Sequence, residues 1–114
     1  MKFAPGSILL ALLLSIGDAS AASFDCRRAQ TPDEIAICDN RDLNDMDVKM
    51  ATLLDVAKGF MLMGERGATM DAQREWLARR RTCGANVACL RQSYRQRIDE
   101  LEQAIGAIRE RSQF

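Results

Sequence analysis

Histidine is absent from all 114 residues, which removes the commonest general base and the commonest nitrogen ligand for metals. No glycine-rich phosphate loop is present, and no serine or cysteine stands beside an identifiable base. The usual signatures of phosphoryl transfer and of nucleophilic catalysis are therefore missing. Charge of one sign is not in excess either, because sixteen Lys and Arg balance sixteen Asp and Glu. A partner recognised by bulk charge is not implied. No alternating β-branched run offers a strand. The longest apolar stretch, Ile8 to Ile16, is interrupted by Ser15 and falls short of the ~20 residues that a bilayer span needs.

That stretch follows Lys2 and precedes Ala19-Ser20-Ala21, the small-x-small pattern of a secretory signal. Cleavage is expected before Ala22, with the bond before Ser23 as the alternative, which divides the chain into a signal peptide (1–21) and one domain (22–114). The destination is then periplasmic or secreted. No cysteine follows the cleavage point directly, so no lipid anchor is expected, and the mature chain has nothing to insert stably into a membrane. Export also keeps it away from most nucleic acid, despite the arginines between Arg74 and Arg97. The mature chain stays neutral, with an acidic first part and a more basic second part.

Four cysteines remain, Cys26, Cys38, Cys83 and Cys89. An even number in a small exported domain points to disulfides. Redox motifs and four-thiolate zinc sites use closer pairs than the eleven and five intervening residues here. Three connectivities are open, and local pairing (Cys26 with Cys38, Cys83 with Cys89) is the economical expectation. Each such loop contributes about 2–3 kcal/mol by restricting the unfolded chain.

The rest reads as helix. Thr31-Pro32-Asp33-Glu34 is a helix start, with Thr31 as cap, Pro32 at the first helical position and Glu34 reaching back to the Thr31 amide. This short helix ends near Asn40, which can cap the next, with Asp42 in its first turn. Leu43, Met46, Met50, Leu53, Leu54, Ala57 and Met61 recur at three-four spacing, a buried stripe of five or six turns. Gly59, Gly64 and Gly67 mark a connection. A third helix is expected from about Met70 to Thr82, with Trp76 and Leu77 facing inward. After Gly84-Ala85, Asn86 caps a last helix whose stripe is Val87, Leu90, Tyr94, Ile98, Leu101, Ile105 and Ile108. The expected fold is all-α, a small antiparallel bundle or hairpin of about four helices stapled by two disulfides.

Phe24-Asp25-Cys26, Thr31 through Glu34, Ile37-Cys38, Leu43 and Asp47 stand in an order and spacing shared with one known family. So do Gln73, Trp76-Leu77, Arg80, Cys83, Cys89-Leu90, Tyr94 and Arg97-Ile98. The chain resembles the LprI-type lysozyme-inhibitor domain over nearly the whole of 22–114. The resemblance implies a small exported bacterial helical domain with paired cysteines, and through the family's name it implies inhibition of host-type lysozyme. Two features depart from the family: neither a lipid anchor nor an extra domain is expected, and Phe60 to Met63 is unusually apolar.

Candidate contact residues follow from this reading. Asp39, Asp42 and Asp45, with Asp47, form an acidic group suited to a basic lysozyme, although acids at helix starts also answer the helix dipole. Phe60, Met61 and Met63 lie in an apolar run that cannot all face one side of a helix, and flexible methionine surfaces suit partner binding. Asp47, Arg80 and Arg97 border the apolar stripes and read as internal ion pairs that fix helix register, since half-buried charges need partners. Trp76 and Tyr94 read as core. The expectation is a non-enzymatic binding protein without cofactor or metal, whose partner is a protein, a lysozyme by what the resemblance implies. An envelope interaction module with another protein partner, toxin-neutralising or structural, is the alternative.

Overall fold

A computed structural model describes Gly6 and residues 22–112. The expected signal peptide and its leading charge thus lie outside the described residues, Gly6 excepted. After a single 3-10 turn at Cys26–Arg28 come four helices, α1 Pro32–Asp39, α2 Arg41–Phe60, α3 Met63–Thr82 and α4 Val87–Arg111. No strand occurs among the described residues. The fold is all-α, as the two apolar stripes imply.

Helix starts are set by local chemistry. Asn40 Oδ1 accepts from the Leu43 amide at 3.1 Å and Asn86 Oδ1 from the Cys89 amide at 3.0 Å, each satisfying one free first-turn N–H. At α1 the two capping side chains meet each other instead of the backbone: the Thr31 hydroxyl donates to Glu34 Oε1 at 2.7 Å. A carboxylate is a strong acceptor for that hydroxyl, and Pro32 suits the first helical position, where no N–H is needed. Between α3 and α4, Gly84 adopts φ +55°, a left-handed conformation that a side chain disfavours.

The connection between α2 and α3 differs from the sequence expectation. It consists of Met61 and Leu62 alone, and α3 starts at Met63, well before Met70. Gly59 lies in the last turn of α2, while Gly64 and Gly67 lie inside α3. Each helical glycine costs roughly 1 kcal/mol against alanine, so tertiary contacts must offset them. Glu65 of α3 accepts a two-pronged pair of bonds from Arg111 of α4, at 2.8 and 3.3 Å. The Thr69 hydroxyl reaches Met61 Sδ at 3.2 Å, and Met70 packs on the core.

Partner residues define the arrangement. Asp42 with Arg91 and Lys49 with Glu102 rise together along α2 and α4, so these helices run in the same direction. Gln73 meets Met50 and Arg80 meets Asp47, so α3 runs antiparallel to α2, and in the same way to α4. α1 lies against α2. The core joins Ile37, Leu43, Met50, Leu54, Trp76, Leu90, Tyr94, Ile98 and Leu101. Trp76 and Tyr94 meet edge to face, with ring centroids 5.1 Å apart, a favoured geometry. Leu77, expected inward, is 37% exposed. One step along a helix turns it about 100° from Trp76, onto the rim of a groove between α2 and α3.

Both disulfides are local. Cys26 joins Cys38 and Cys83 joins Cys89, with Cα atoms 5.8 and 5.6 Å apart. The first ties the lead-in segment to α1, and the second fixes the elbow between α3 and α4.

Candidate functional site

The most concentrated chemistry lies in the interior. Asp33 is four residues before Ile37 on α1, which places both on one face, and they are 1% and 0% exposed. Asp47 falls between Leu43 and Met50 on the buried stripe of α2 and is 0% exposed. Arg80 follows Trp76 by four residues on α3, and Tyr94 follows Leu90 by four on α4. Each polar member is thus in phase with its own helix's apolar stripe, and four helices deliver their polar groups to one point.

The contacts form a chain. Arg80 Nε donates to Asp33 Oδ2 at 2.9 Å, and Arg80 Nη1 donates to the Tyr94 hydroxyl at 3.2 Å. The Tyr94 hydroxyl donates onward to Asp47 Oδ1 at 2.8 Å. Asp47 Oδ2 accepts from the main-chain nitrogen of Ser23 at 2.6 Å. The rings of Phe24 and Trp76 each lie 5.7 Å from the Arg80 guanidinium carbon, close enough for cation–π attraction. Trp76 Nε1 donates to the Ser93 carbonyl at 3.1 Å. One turn along, Arg97 Nε donates to Gln73 Oε1 at 2.9 Å and Nη1 to Glu100 Oε2 at 3.0 Å. Gln73 Nε2 in turn lies 3.3 Å from Met50 Sδ.

Electrostatics keep these groups in the forms that bind each other. Burial alone would raise the Asp33 pKa, but hydrogen bonding and charge, with the Arg80 guanidinium as the cationic donor, overcome it and hold the carboxyl below its ordinary value. Burial opposes the Arg80 charge, and Tyr94 and Asp33 more than compensate. Burial, reinforced by the charge of Asp47, pushes the Tyr94 phenol upward, so it stays protonated and serves as the donor to Asp47. A proton-transfer role at neutral pH needs a group titrating near 7, and none of these three moves toward that value.

Of the sequence-based candidates, Asp47, Arg80 and Arg97 are 0%, 6% and 4% exposed and stand in these pairs. Asp39, Asp42 and Asp45 stay exposed at the corner where α1 meets α2. Arg91 of α4 lies 3.8 Å from Asp42 and partly neutralises it. Phe60 and Met63 are 71% and 87% exposed, and Leu62 joins them at 76%. Met61 turns back, half-buried, with its sulfur on Thr69. Cys26, Cys38, Cys83 and Cys89 are all taken up in disulfides.

Sequence reasoning assigned no interior role to Asp33, Gln73 or the Ser23 nitrogen. The spacing of Asp33 to Ile37 carried a signal for the first, hidden by its equally good position in a helix's first turn. Ser23 carried none, because its partner is 24 residues away.

An open groove of about 500 Å³ lies between α2, α3 and the lead-in segment, lined among others by Phe24, Leu54, Gln73, Leu77 and Arg80. Among the described residues no group of three or more Cys, Asp or Glu is placed to hold a metal ion. No described helix is long and apolar enough to cross a membrane. Neither a protein-family model, a curated protein nor a solved structure matches this chain.

Proposed function

We propose that this chain is an exported, non-enzymatic binding protein that inhibits a lysozyme by stoichiometric protein–protein contact, meeting it through Asp39, Asp42 and Asp45. One observation carries the reading. Of the four acids between Asp39 and Asp47, only Asp47 is withdrawn into the interior, and the other three remain exposed at one corner. Exposed carboxylates accelerate encounter with a basic enzyme and orient the approach. The resemblance to the LprI-type domain supplies the partner class. Many residues that carry it (Phe24, Asp47, Gln73, Trp76, Arg80, Tyr94 and Arg97 among them) belong to the interior network or core, so they specify the framework and leave the contact surface to other positions.

A second reading rests on the opposite end of α2. Phe60, Leu62 and Met63 are exposed together there, roughly 22–27 Å from Asp45 and Asp42 at the rise of an α-helix. Such an apolar knuckle suits a different protein partner in the envelope.

The test is a titration of the oxidised mature protein into a lysozyme cell-wall lysis assay at two salt concentrations. Inhibition that saturates near one-to-one, weakens with salt and falls in the combined Asp39→Asn, Asp42→Asn, Asp45→Asn variant supports the first reading. Inhibition lost instead in Phe60→Ser with Met63→Ser moves the contact to the apolar knuckle. No inhibition at large excess sinks the lysozyme assignment for that enzyme.

A further inference from the structure

Among the described residues the buried network is one positive charge short. Asp33 and Asp47 are 1% and 0% exposed, and a single guanidinium, Arg80, faces them at 2.9 and 3.9 Å. Tyr94 is neutral, and the other buried cation, Arg97, is turned to Gln73 and Glu100. An unpaired buried carboxylate is costly, and proteins supply it with a cation or with donors. Among the described residues the remaining donor to Asp47 is the main-chain nitrogen of Ser23, at 2.6 Å from Oδ2, which places that nitrogen in direct contact with the carboxylate.

We propose that the Ala22–Ser23 bond is the processing site, cut by the signal peptidase of the envelope, and that the freed Ser23 α-ammonium is the missing charge that completes the Asp47–Tyr94–Arg80–Asp33 network. In the hydrolysis, water adds its hydroxyl to the Ala22 carbonyl carbon as the C–N bond breaks. The Ser23 nitrogen leaves as an amine and takes up a proton at neutral pH. Ser20 and Ala22 meet the small-residue requirement three and one positions before this cut, as Ala19 and Ala21 do for the bond one residue earlier. Sequence alone leaves both bonds open. The fold separates them, because a chain beginning at Ala22 carries its ammonium one residue farther out and keeps a neutral amide against Asp47.

Asp47 of α2 faces the Ser23 nitrogen, with Tyr94 of α4, Arg80 of α3 and Asp33 of α1 behind it. Glu34 of α1, Asp55 of α2 and Arg81 of α3 line the same groove. A carboxylate in direct contact raises an amine's pKa. The stabilisation is therefore present in full below the unfolded α-amino value of about 8 and is lost as pH rises through the folded one.

The proposal rests on export, whereas its first test does not. Oxidised chains 23–114 and 22–114, each released with its authentic first residue from a ubiquitin-like fusion, are melted between pH 6 and pH 10. The Ser23-first chain is expected to melt higher at pH 6, with the difference closing at alkaline pH. Its amine, followed by NMR or by the pH dependence of acetylation, is expected to titrate above the ordinary α-amino value. Equal melting at every pH, or an amine titrating at its ordinary value, overturns the proposal. Asp47→Asn is expected to abolish the difference; if that variant does not fold, the amine titration decides. The intact mass of the full chain expressed in a bacterium then reads the cut. A product of 23–114 supports the proposal and 22–114 overturns it, while a retained leader overturns both it and the export reading.

Discussion

Replacing Arg80 with methionine removes the only cationic side chain that contacts Asp33 and Asp47 among the described residues, while keeping most of its apolar bulk. Asp33 loses a 2.9 Å charged hydrogen bond, the Tyr94 hydroxyl loses its donor at 3.2 Å, and Asp47 loses a charge 3.9 Å away. The Arg80 and Asp33 side chains are 8% and 1% exposed, so solvent screens little of this. Breaking a buried pair by removing one partner costs about 3–5 kcal/mol, against the roughly 5–15 kcal/mol that holds a native domain together. Urea unfolding at pH 7, followed by circular dichroism and by the fluorescence of Trp76, the sole tryptophan, measures the loss. Pairing the change with Asp33→Leu removes the orphaned charge, so the double variant should be destabilised by less than the sum of the singles. The pH dependence has a definite sign. The Asp33 pKa is held below its ordinary 3.8 in the native protein, so its contribution is present above about pH 4 and is lost as pH falls through the folded value. The gap between native protein and Arg80→Met should therefore narrow on acidification. A loss under about 1 kcal/mol at pH 7, or strict additivity with Asp33→Leu, would refute the view that these charges depend on each other.

Tyr94→Phe keeps the ring against Trp76 but removes the bridge between Arg80 and Asp47; chemical denaturation should show a loss of about 1–3 kcal/mol. Gly64→Ala and Gly67→Ala should each stabilise the fold by up to ~1 kcal/mol, because both lie inside α3 with open space around the added Cβ. Destabilisation in thermal melts would instead indicate a loop there. Replacing Cys26 and Cys38 together by serine should cost about 2–3 kcal/mol through the freed unfolded chain, read as a lower urea midpoint, with Trp76 still buried in the folded fraction.

The helices were legible where local chemistry and periodicity agreed. Asn40 and Asn86 cap as their sequence context implies, and the stripes of α2 and α4 are the faces that touch. The start of α3 was not legible. Gly64 and Gly67 argue locally against helix, and the contacts that outweigh them, Glu65 with Arg111 and Met70 with the core, come from elsewhere. Leu77 illustrates the limit of a stripe: beside a fully buried tryptophan, one step of rotation carried it to the rim.

The candidate site divides along the same line. Asp47, Arg80 and Arg97 border apolar stripes, and that alone marks them as charges in need of partners. Their partners were not visible, since Asp33 with Arg80 and Asp47 with Tyr94 are each 47 residues apart.

Composition, caps and spacing by themselves determined an all-helical chain with four cysteines and no histidine for acid–base work, because these are properties of single residues and of one helix at a time. Tertiary structure alone decided that Asp33 goes inside while Asp39, Asp42 and Asp45 stay out, and that the Ser23 nitrogen ends on Asp47. Those outcomes depend on the direction and register of one helix against another. The period of a helix says which face is buried, and only packing says which charge that face will meet.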